Sequence, residues 1–260
     1  MVPFPAMIRE IEERLRAVLV DVCPEPDQRR RLIRLMTLFI GLPSPPNEGG
    51  HFPQYDDLKE RFLGSLVHGD SELIDECFLD LYAHVHMHEA PYTTDERRSV
   101  DRSGGYWCHA GGLSPILKAG DWITPDSVSA DLGAGNGLQG LLMQKLYPHA
   151  RCVQVEISSE AVAIGRRLQG WLGIPEVAVE WVVADVVDAP IPDVDLLYLY
   201  RPVRPEGRGR LFYQRLAAEL ARSTRQTVIF SIADCLRDFL SNRFEVFYSD
   251  GHLTCFRKTS

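Results

Sequence analysis

The sequence predicts an α/β domain over residues 103–260, preceded by an all-helical region over residues 1–102. Three observations lead to this fold class. Apolar residues recur at helical spacing up to about residue 100, short β-rich and helical segments alternate from about residue 127, and Asp-Gly joins the last two β-rich runs. Strands that alternate with helices form parallel layers, whereas Asp-Gly between two strands favours an antiparallel hairpin.

The composition limits the cellular setting and the partners. Hydrophobic residues make up 45% of the 260 residues and charged residues 25%, a mixture typical of globular proteins. No apolar run approaches the roughly 20 residues of a membrane span, the N-terminus lacks a signal-peptide pattern, and the six cysteines never form C-x-x-C. We therefore expect a cytoplasmic protein without a membrane partner. The net charge of −8 disfavours broad binding to nucleic acid.

Apolar spacing predicts four helical stretches in the first region. The first two carry apolar stripes at intervals of three and four residues. These stripes comprise Ile8, Ile11, Leu15, Val18 and Leu19, then Leu32, Ile33, Leu35, Met36, Phe39 and Ile40. Prolines and glycines in 41–50 predict a break, and two more helical stretches follow near 55–67 and 71–84.

Seven β-rich runs follow, and helical segments separate the first five. The runs occupy 128–132, 151–156, 179–183, 195–200, 227–232, 244–248 and 252–256. The helical segments occupy 138–147, 159–172 and 207–222. The final two runs enclose only Ser-Asp-Gly (249–251), which predicts the antiparallel hairpin.

The loop after the first run contains two overlapping glycine motifs. GNGLQG (135–140) fits the dinucleotide pattern G-x-G-x-x-G, whereas DLGAGNG (131–137) places Asp131 at the end of the strand. A carboxylate there repels a pyrophosphate but suits a ligand with a positive amine and a sulfonium. Glu156 ends the second strand, where an acid binds ribose hydroxyls, and Asp185 follows the third. We expect Gly140, which only the first motif uses, to be a helix-packing glycine.

In this order, DLGAGNG, QVE (154–156), VVAD (182–185) and the closing hairpin resemble the class I S-adenosylmethionine-dependent methyltransferases. The resemblance covers roughly residue 121 to the C-terminus. It implies a seven-stranded sheet of order 3-2-1-4-5-7-6, with Asp131 and the glycine loop at the methionine part, Glu156 at the ribose and Asp185 at the adenine amine. The implied cofactor-binding residues are Asp131, Gly133, Ala134, Gly135, Asn136, Gly137, Glu156, Ile157, Asp185 and Val186.

The resemblance also implies that the residues after the fourth strand, LYRPVRP (199–205), face the transferred methyl group. They lack the Asn- or Asp-Pro-Pro-aromatic motif of amino and adenine methyltransferases of the family. Tyr200 is expected to orient or stack on the nucleophile, and Arg201 and Arg204 to pair with a carboxylate or phosphate of the substrate. The alternative is that Tyr200 belongs to the core and that the arginines are solvated.

The segment SGGYWCHAGGL (103–113) precedes the sheet and carries two aromatic residues and a histidine between glycines. We expect Tyr106, Trp107 and His109 to approach the methionine end of the cofactor or the acceptor. His109 is the best-placed general base, because histidine titrates near neutral pH. A packed hinge between domains is the alternative.

Two further clusters have simpler explanations. His84-Val-His-Met-His88 has no fixed third ligand, so we predict helix-end histidines and no metal, with contact to the acceptor site as the alternative. Seven arginines and two glutamates occur between residues 201 and 225, which leaves RNA open, but a solvated helix face is favoured.

We therefore predict a methyltransferase whose N-terminal helical region forms a lid over the acceptor, a small molecule or a protein side chain. The alternatives are an RNA methyltransferase, a non-catalytic cofactor-binding protein and, least favoured, a nicotinamide-dependent oxidoreductase that uses GNGLQG.

Overall fold

The computed structural model describes residues 4–87, 93–106 and 112–259. The chain forms two compact units, Met1–Glu89 and Ala90–Ser260. The division falls before the boundary expected at residue 102, so that the last helix ahead of the sheet segment belongs to the second unit. We describe each unit by itself.

The first unit is helical throughout its described residues. Its helices are α1 (Phe4–Val18), α2 (Pro26–Gly41), α3 (Tyr55–His68) and α4 (Ser71–Met87). The apolar stripe predicted for α2 is buried, and Phe39 packs edge-on against Phe78, with ring centroids 5.4 Å apart. Phe62 of α3 contacts the same Phe78 ring at 5.2 Å. Aromatic contacts between α2, α3 and α4 therefore form the centre of this unit.

The second unit contains the sheet and five helices among its described residues. The strands are β1 (Val128–Leu132), β2 (Arg151–Glu156), β3 (Val179–Val183), β4 (Leu196–Tyr200), β5 (Val228–Ile232), β6 (Phe244–Ser249) and β7 (Leu253–Lys258). The helices are α5 (Thr94–Ser103), α6 (Ser114–Ala119), α7 (Leu138–Leu146), α8 (Ser159–Trp171) and α9 (Gly207–Arg222). The bounds of the strands and of α7, α8 and α9 agree with the predicted runs to within one or two residues, whereas α5 and α6 had no predicted run.

The sheet has the order β3-β2-β1-β4-β5-β7-β6, as the resemblance implied. β1 to β5 pair in parallel, and β7 is antiparallel to both β5 and β6. In the hairpin turn, Gly251 has a φ of 89°, and the Asp250 carboxylate accepts hydrogen bonds from the backbone N–H groups of His252 and Leu253. The predicted antiparallel ending is confirmed.

Apolar packing joins the sheet to α9. Side chains of β1, β2, β4 and β5 form one core with Phe212, Tyr213 and Leu216 of α9. The hydroxyl of Tyr213 donates to the carbonyl oxygen of Val203 (2.9 Å), which anchors the loop after β4. The carboxyl ends of the parallel strands therefore form a fixed edge, and β1 and β4 at its centre are the neighbours where the strand order reverses. Ligands of open α/β sheets bind at such a switch point.

None of the helices in the described part of the chain combines the length and the apolar character that a membrane crossing requires.

Candidate active site

The loop between β1 and α7 is built around three glycines in left-handed conformations. Gly133, Gly135 and Gly137 have φ values of 81°, 59° and 69°, a region that side chains rarely adopt. The backbone N–H groups of Gly133 and Ala134 both donate to the carbonyl oxygen of Val155 in β2 (2.9 and 3.0 Å). A Cβ atom on Gly135 would have no atom within 4 Å. The loop is therefore fixed to the sheet and leaves bare backbone beside open space.

Asp131 lies buried beneath this loop. Its pKa is raised to about 8, first by burial and then by the charge of Glu156, while a hydrogen bond from the backbone N–H of Gly140 opposes the rise. Gly140 lies in the first turn of α7, so a carboxylate of the chain occupies the site where a helix N-terminus would otherwise attract a phosphate. A Cβ on Gly140 would lie 2.3 Å from Nε2 of Gln154. Gly140 is the packing glycine that the sequence predicted.

Glu156 ends β2 with its carboxylate directed at the glycine loop. Oε2 accepts from the backbone N–H of Gly135 (2.8 Å), and Oε1 accepts from the N–H of Ser158 (2.9 Å). Burial raises the pKa of Glu156, while these N–H donors lower it. Ile157, which follows it, is half-buried, so its side chain retains surface for an apolar ligand face.

Asp185 follows β3, and one of its carboxylate oxygens accepts a hydrogen bond from the backbone. Oδ1 accepts from the backbone N–H of Val187 (2.9 Å), and Oδ2 lies 3.7 Å from the Arg208 guanidinium. The carbonyl oxygen of Glu156 accepts from the N–H of Ala184 (2.9 Å). Glu156, which ends β2, and Asp185, which follows β3, therefore lie on adjacent segments that are joined by a hydrogen bond.

Besides Asp131 and Glu156, three further predicted cofactor residues have buried side chains. Ala134 is 5% exposed, Asn136 1% and Val186 7%. Oδ1 of Asn136 accepts from the N–H of Leu138 (3.1 Å), the first residue of α7, and Val186 packs in the apolar core. Their side chains shape the loops, and contact with a cofactor would run through their backbones.

The loop after β4 lies beside the glycine loop. A Cβ on Gly133 would come 2.8 Å from Cβ of Pro202. Arg201 adopts the left-handed region with a φ of 40°, which is costly for a residue with a side chain. Tyr200 is half-buried, and its ring packs edge-on against His252 with centroids 5.8 Å apart. The structure thus brings Tyr200 and Arg201 to the switch point between β1 and β4.

Tyr106 reaches this loop from the segment after α5. Gly105 forms an antiparallel bridge with Val203. The Arg201 guanidinium lies 4.4 Å from the centroid of the Tyr106 ring, and that of Arg204 lies 5.4 Å from it. The structure therefore joins three of the predicted acceptor-side residues through cation–π contacts.

An open cavity of about 540 Å³ adjoins Arg201 at the ends of β5 and β7. Its lining is Arg201, Ala233, Asp234, Cys235, Arg237, Asp238, Ser249, Gly251 and Thr254. Ala233 is, after Arg201, a second residue with a side chain that has positive φ, at 48°. The Cys235 thiol lies near Arg201 and Tyr213, but burial raises its pKa, which leaves a neutral thiol in the wall.

Several predictions fall outside the described residues. Trp107 and His109 lie in 107–111, and His88 lies in 88–92, so their roles stay predictions. Nε2 of His84 accepts from the backbone N–H of Gln54 (3.3 Å). Within the described part of the chain, no group of three or more His, Cys, Asp or Glu side chains is arranged to hold a metal.

Most of the arginines in the locally basic stretch are engaged within the protein. Arg208 forms a bidentate pair with Asp188 (2.9 and 2.7 Å), and Arg225 pairs with Asp193 and Asp195. Arg215 donates to two backbone carbonyl oxygens, and Arg222 pairs with Glu219. These arginines therefore have partners within the protein, which the interpretation favoured from the sequence, a solvated helix face, did not predict.

The sequence reasoning missed Glu96, an acid that reaches the site from α5. Its Oε1 accepts from the hydroxyl of Ser158 at 2.6 Å. The signal was available, because Thr93-x-x-Glu96 is a capping-box pattern that marks a helix start. Its distant partner in the loop after β2 has no such local signal.

These features fit S-adenosylmethionine as the cofactor that the resemblance implied. Bare glycine backbone borders open space, two buried carboxylates flank it, and a half-exposed apolar residue follows the second acid. Asp131 engages the backbone N–H of Gly140 in the first turn of α7, so that this donor is not available to the pyrophosphate of a dinucleotide and the GNGLQG motif lacks the surroundings it would need.

Comparisons with known proteins found a family model and solved structures that are similar to part of the chain. Residues 130–203 match a family model described as a methyltransferase domain. A search of the curated proteins found none that matches the chain. An RNA methyltransferase from Salinibacter ruber in complex with S-adenosyl-L-homocysteine is similar at 24% identity and a TM-score of 0.41, over 56% of this chain and 88% of that chain. TrmN from Thermus thermophilus is similar at 15% identity and a TM-score of 0.44, over 56% of this chain and 48% of that one.

The strand order and the matched segment together define a Rossmann-like α/β domain of the methyltransferase class. Over residues 130–203 the chain carries a methyltransferase domain, and S-adenosylmethionine is the cofactor that its site fits.

Proposed function

We propose that the chain transfers the methyl group of S-adenosylmethionine to a small molecule or a protein side chain held at the ends of β4 and β5. The observation that carries this proposal is the position of Arg201. It lies in a strained conformation between the glycine loop, the Tyr106 ring and an open cavity. Strained residues concentrate at functional sites, where the surrounding structure maintains them.

The cofactor side of the site would be formed by three acids. Asp131 and the Gly133–Gly137 backbone would hold the methionine part, Glu156 the ribose and Asp185 the adenine amine. When bound, S-adenosylmethionine supplies a methyl group on a positive sulfonium, so the chain's own residues need only hold and align the acceptor.

The acceptor side would recognise an anionic group. Nε of Arg201 is buried and has no hydrogen-bond partner among the described residues, and a buried donor without a partner is costly. A carboxylate or phosphate of the acceptor would satisfy it with a charge-assisted hydrogen bond. Tyr106 would hold the guanidinium in place, while Tyr200 and His109 are the proposed groups that orient the nucleophile and accept its proton.

The ion pairs on α9 weigh against RNA as the acceptor. A protein surface binds nucleic acid through arginines and lysines that are available to phosphates. Here Arg208, Arg222 and Arg225 already have carboxylate partners. We therefore favour a small molecule or a protein side chain.

The experiment incubates the full chain with S-adenosylmethionine labelled in its methyl group and three fractions of a cell extract: small molecules, protein and total RNA. Label in the small-molecule or protein fraction is the expected result. Label confined to RNA would contradict the acceptor class, and no label in any fraction, with cofactor binding intact, would indicate a non-catalytic protein.

The same assay tests Arg201 directly. Arg201→Gln should lower transfer by about tenfold to a hundredfold, because a hydrogen bond to a charged group contributes about 1.5–3 kcal/mol. Affinity for S-adenosylhomocysteine should stay within about twofold of the native chain, since the acceptor side is changed and the cofactor side is not. Arg210→Gln, which removes an exposed charge from α9, is the matched control. Equal activity of both variants would rule out the role of Arg201.

A further inference from the structure

Helix α5 begins with a capping box whose acid has a second partner outside the helix. Oγ1 of Thr93 accepts from the backbone N–H of Glu96 (3.2 Å), and Oε2 of Glu96 accepts from the N–H of Thr93 (2.8 Å). The other oxygen, Oε1, accepts from the Ser158 hydroxyl at 2.6 Å. An isolated capping box uses one carboxylate oxygen, so the second contact ties α5 to the loop after β2.

Ser158 connects this contact to the acid at the end of β2. Its hydroxyl also accepts from the backbone N–H of Ala161 (3.1 Å) and so caps α8. Its own N–H donates to Oε1 of Glu156 (2.9 Å), and Oε2 of Glu156 accepts from the N–H of Gly135 (2.8 Å). A continuous series of hydrogen bonds therefore runs from Glu96 through Ser158 and Glu156 to the glycine loop.

Glu96 and Glu156 also influence each other through their charges. Burial raises the pKa of Glu156, and the Glu96 carboxylate adds to that rise. Although burial also raises the pKa of Glu96, hydrogen bonds from Ser158 and Thr93 hold it below its usual value. The hydrogen bonds that Glu96 accepts thus favour its ionised form.

The far end of the same segment contacts the loop after β4. Gly104 ends α5 in a left-handed conformation, and Gly105 pairs with Val203. β2 and β4 are the two neighbours of β1 in the sheet. Residues 93–106 therefore link the loops on both sides of the strand that carries the glycine loop.

We propose that Glu96 is a positioning residue for the ribose of the cofactor. By accepting from the Ser158 hydroxyl, it holds the Ser158 N–H on Glu156 and so fixes the carboxylate that meets the ribose hydroxyls. Docking of α5 and cofactor affinity are thereby coupled. The inference rests on the proposed role of Glu156.

The experiment measures the dissociation constant of S-adenosylhomocysteine by calorimetry for the full chain and for Glu96→Ala, Glu156→Gln and the double variant. Glu96→Ala should raise it about threefold to tenfold, the equivalent of one net hydrogen bond. Because Glu96 acts through Glu156, the same change should have no further effect when Glu156→Gln is present. Asp95→Asn is the matched control, since Asp95 lies in the same turn and is exposed.

A thermal unfolding curve for each variant separates affinity from folding. A lower Tm for Glu96→Ala with an unchanged dissociation constant would show a purely structural contact and overturn the inference. An equal effect with and without Glu156→Gln would overturn it as well. If Glu156→Gln itself left affinity unchanged, the ribose assignment would fail, and the inference would fail with it. Weakening by Glu156→Gln but not by Glu96→Ala would leave that assignment standing and reject only the role of Glu96.

Discussion

Asp131 should make cofactor binding depend on pH. Its carboxyl group is buried beside that of Glu156, and its pKa is raised to about 8. The free protein therefore holds a proton on Asp131 at neutral pH, whereas the positive amine and sulfonium of S-adenosylmethionine favour the ionised form. Binding should release that proton and should tighten as the pH rises towards 8.

The size of the effect follows from the pKa. At pH 6, about two pH units below it, removing the proton costs about 3 kcal/mol, which corresponds to about a hundredfold in the dissociation constant.

The stability of the fold should change with pH in the opposite direction to cofactor affinity. The native state holds this proton to a higher pH than the unfolded chain, so Asp131 lowers the free energy of unfolding as the pH rises from about 4 to about 8.

The assay is calorimetric titration of S-adenosylmethionine between pH 6 and 8, in buffers of different ionisation enthalpy that report proton release. The α-amino group of the ligand also titrates near pH 8, so the difference between the native and Asp131→Asn profiles is the quantity to compare. Asp126→Asn changes an exposed acid ahead of β1 and serves as the control. Native and Asp131→Asn profiles of the same shape, with no proton released, would refute the reasoning.

Two further substitutions test the packing that maintains the site. Gly137→Ala would place Cβ 2.4 Å from the Trp181 ring, so we expect about 1–3 kcal/mol from backbone strain and about as much again from overpacking. Gly251 also has positive φ, but a Cβ there would have nothing within 4 Å, so Gly251→Ala should show the strain alone. Equal losses in the free energy of unfolding for the two variants, measured by chemical unfolding, would contradict the overpacking against Trp181. Tyr213→Phe leaves the carbonyl of Val203 without its buried donor and should cost about 1–2 kcal/mol; an unchanged unfolding midpoint would show that this bond does not stabilise the loop.

The sheet was predictable because each strand has a signal in its own local sequence. Alternating and β-branched runs gave β1 to β7 within one or two residues, and the Asp-Gly turn gave the antiparallel ending. The role of Gly140 in packing could also be anticipated, because Asp131 made the phosphate motif incompatible with its surroundings. These features depend on neighbours in sequence, where propensity and turn chemistry act.

The rest depends on contacts between residues far apart in sequence. From the sequence, the arginines around α9 were interpreted as a solvated helix face; the pairing of Arg208 with Asp188, and of Arg225 with Asp193 and Asp195, has no local signal. The contact between Glu96 and Ser158 joins residues 62 positions apart, and no periodicity encodes it. The position of the boundary between the two units could not be predicted for the same reason. The capping box shows where α5 starts, but no local signal shows which unit α5 packs against.

The most direct test of the cofactor assignment is calorimetric titration of the full chain with S-adenosylhomocysteine and, separately, with NAD⁺. The arrangement of Asp131, the glycine loop and Glu156 predicts saturable binding of one S-adenosylhomocysteine per chain and no binding of NAD⁺. Saturable binding of NAD⁺ without binding of S-adenosylhomocysteine would contradict it.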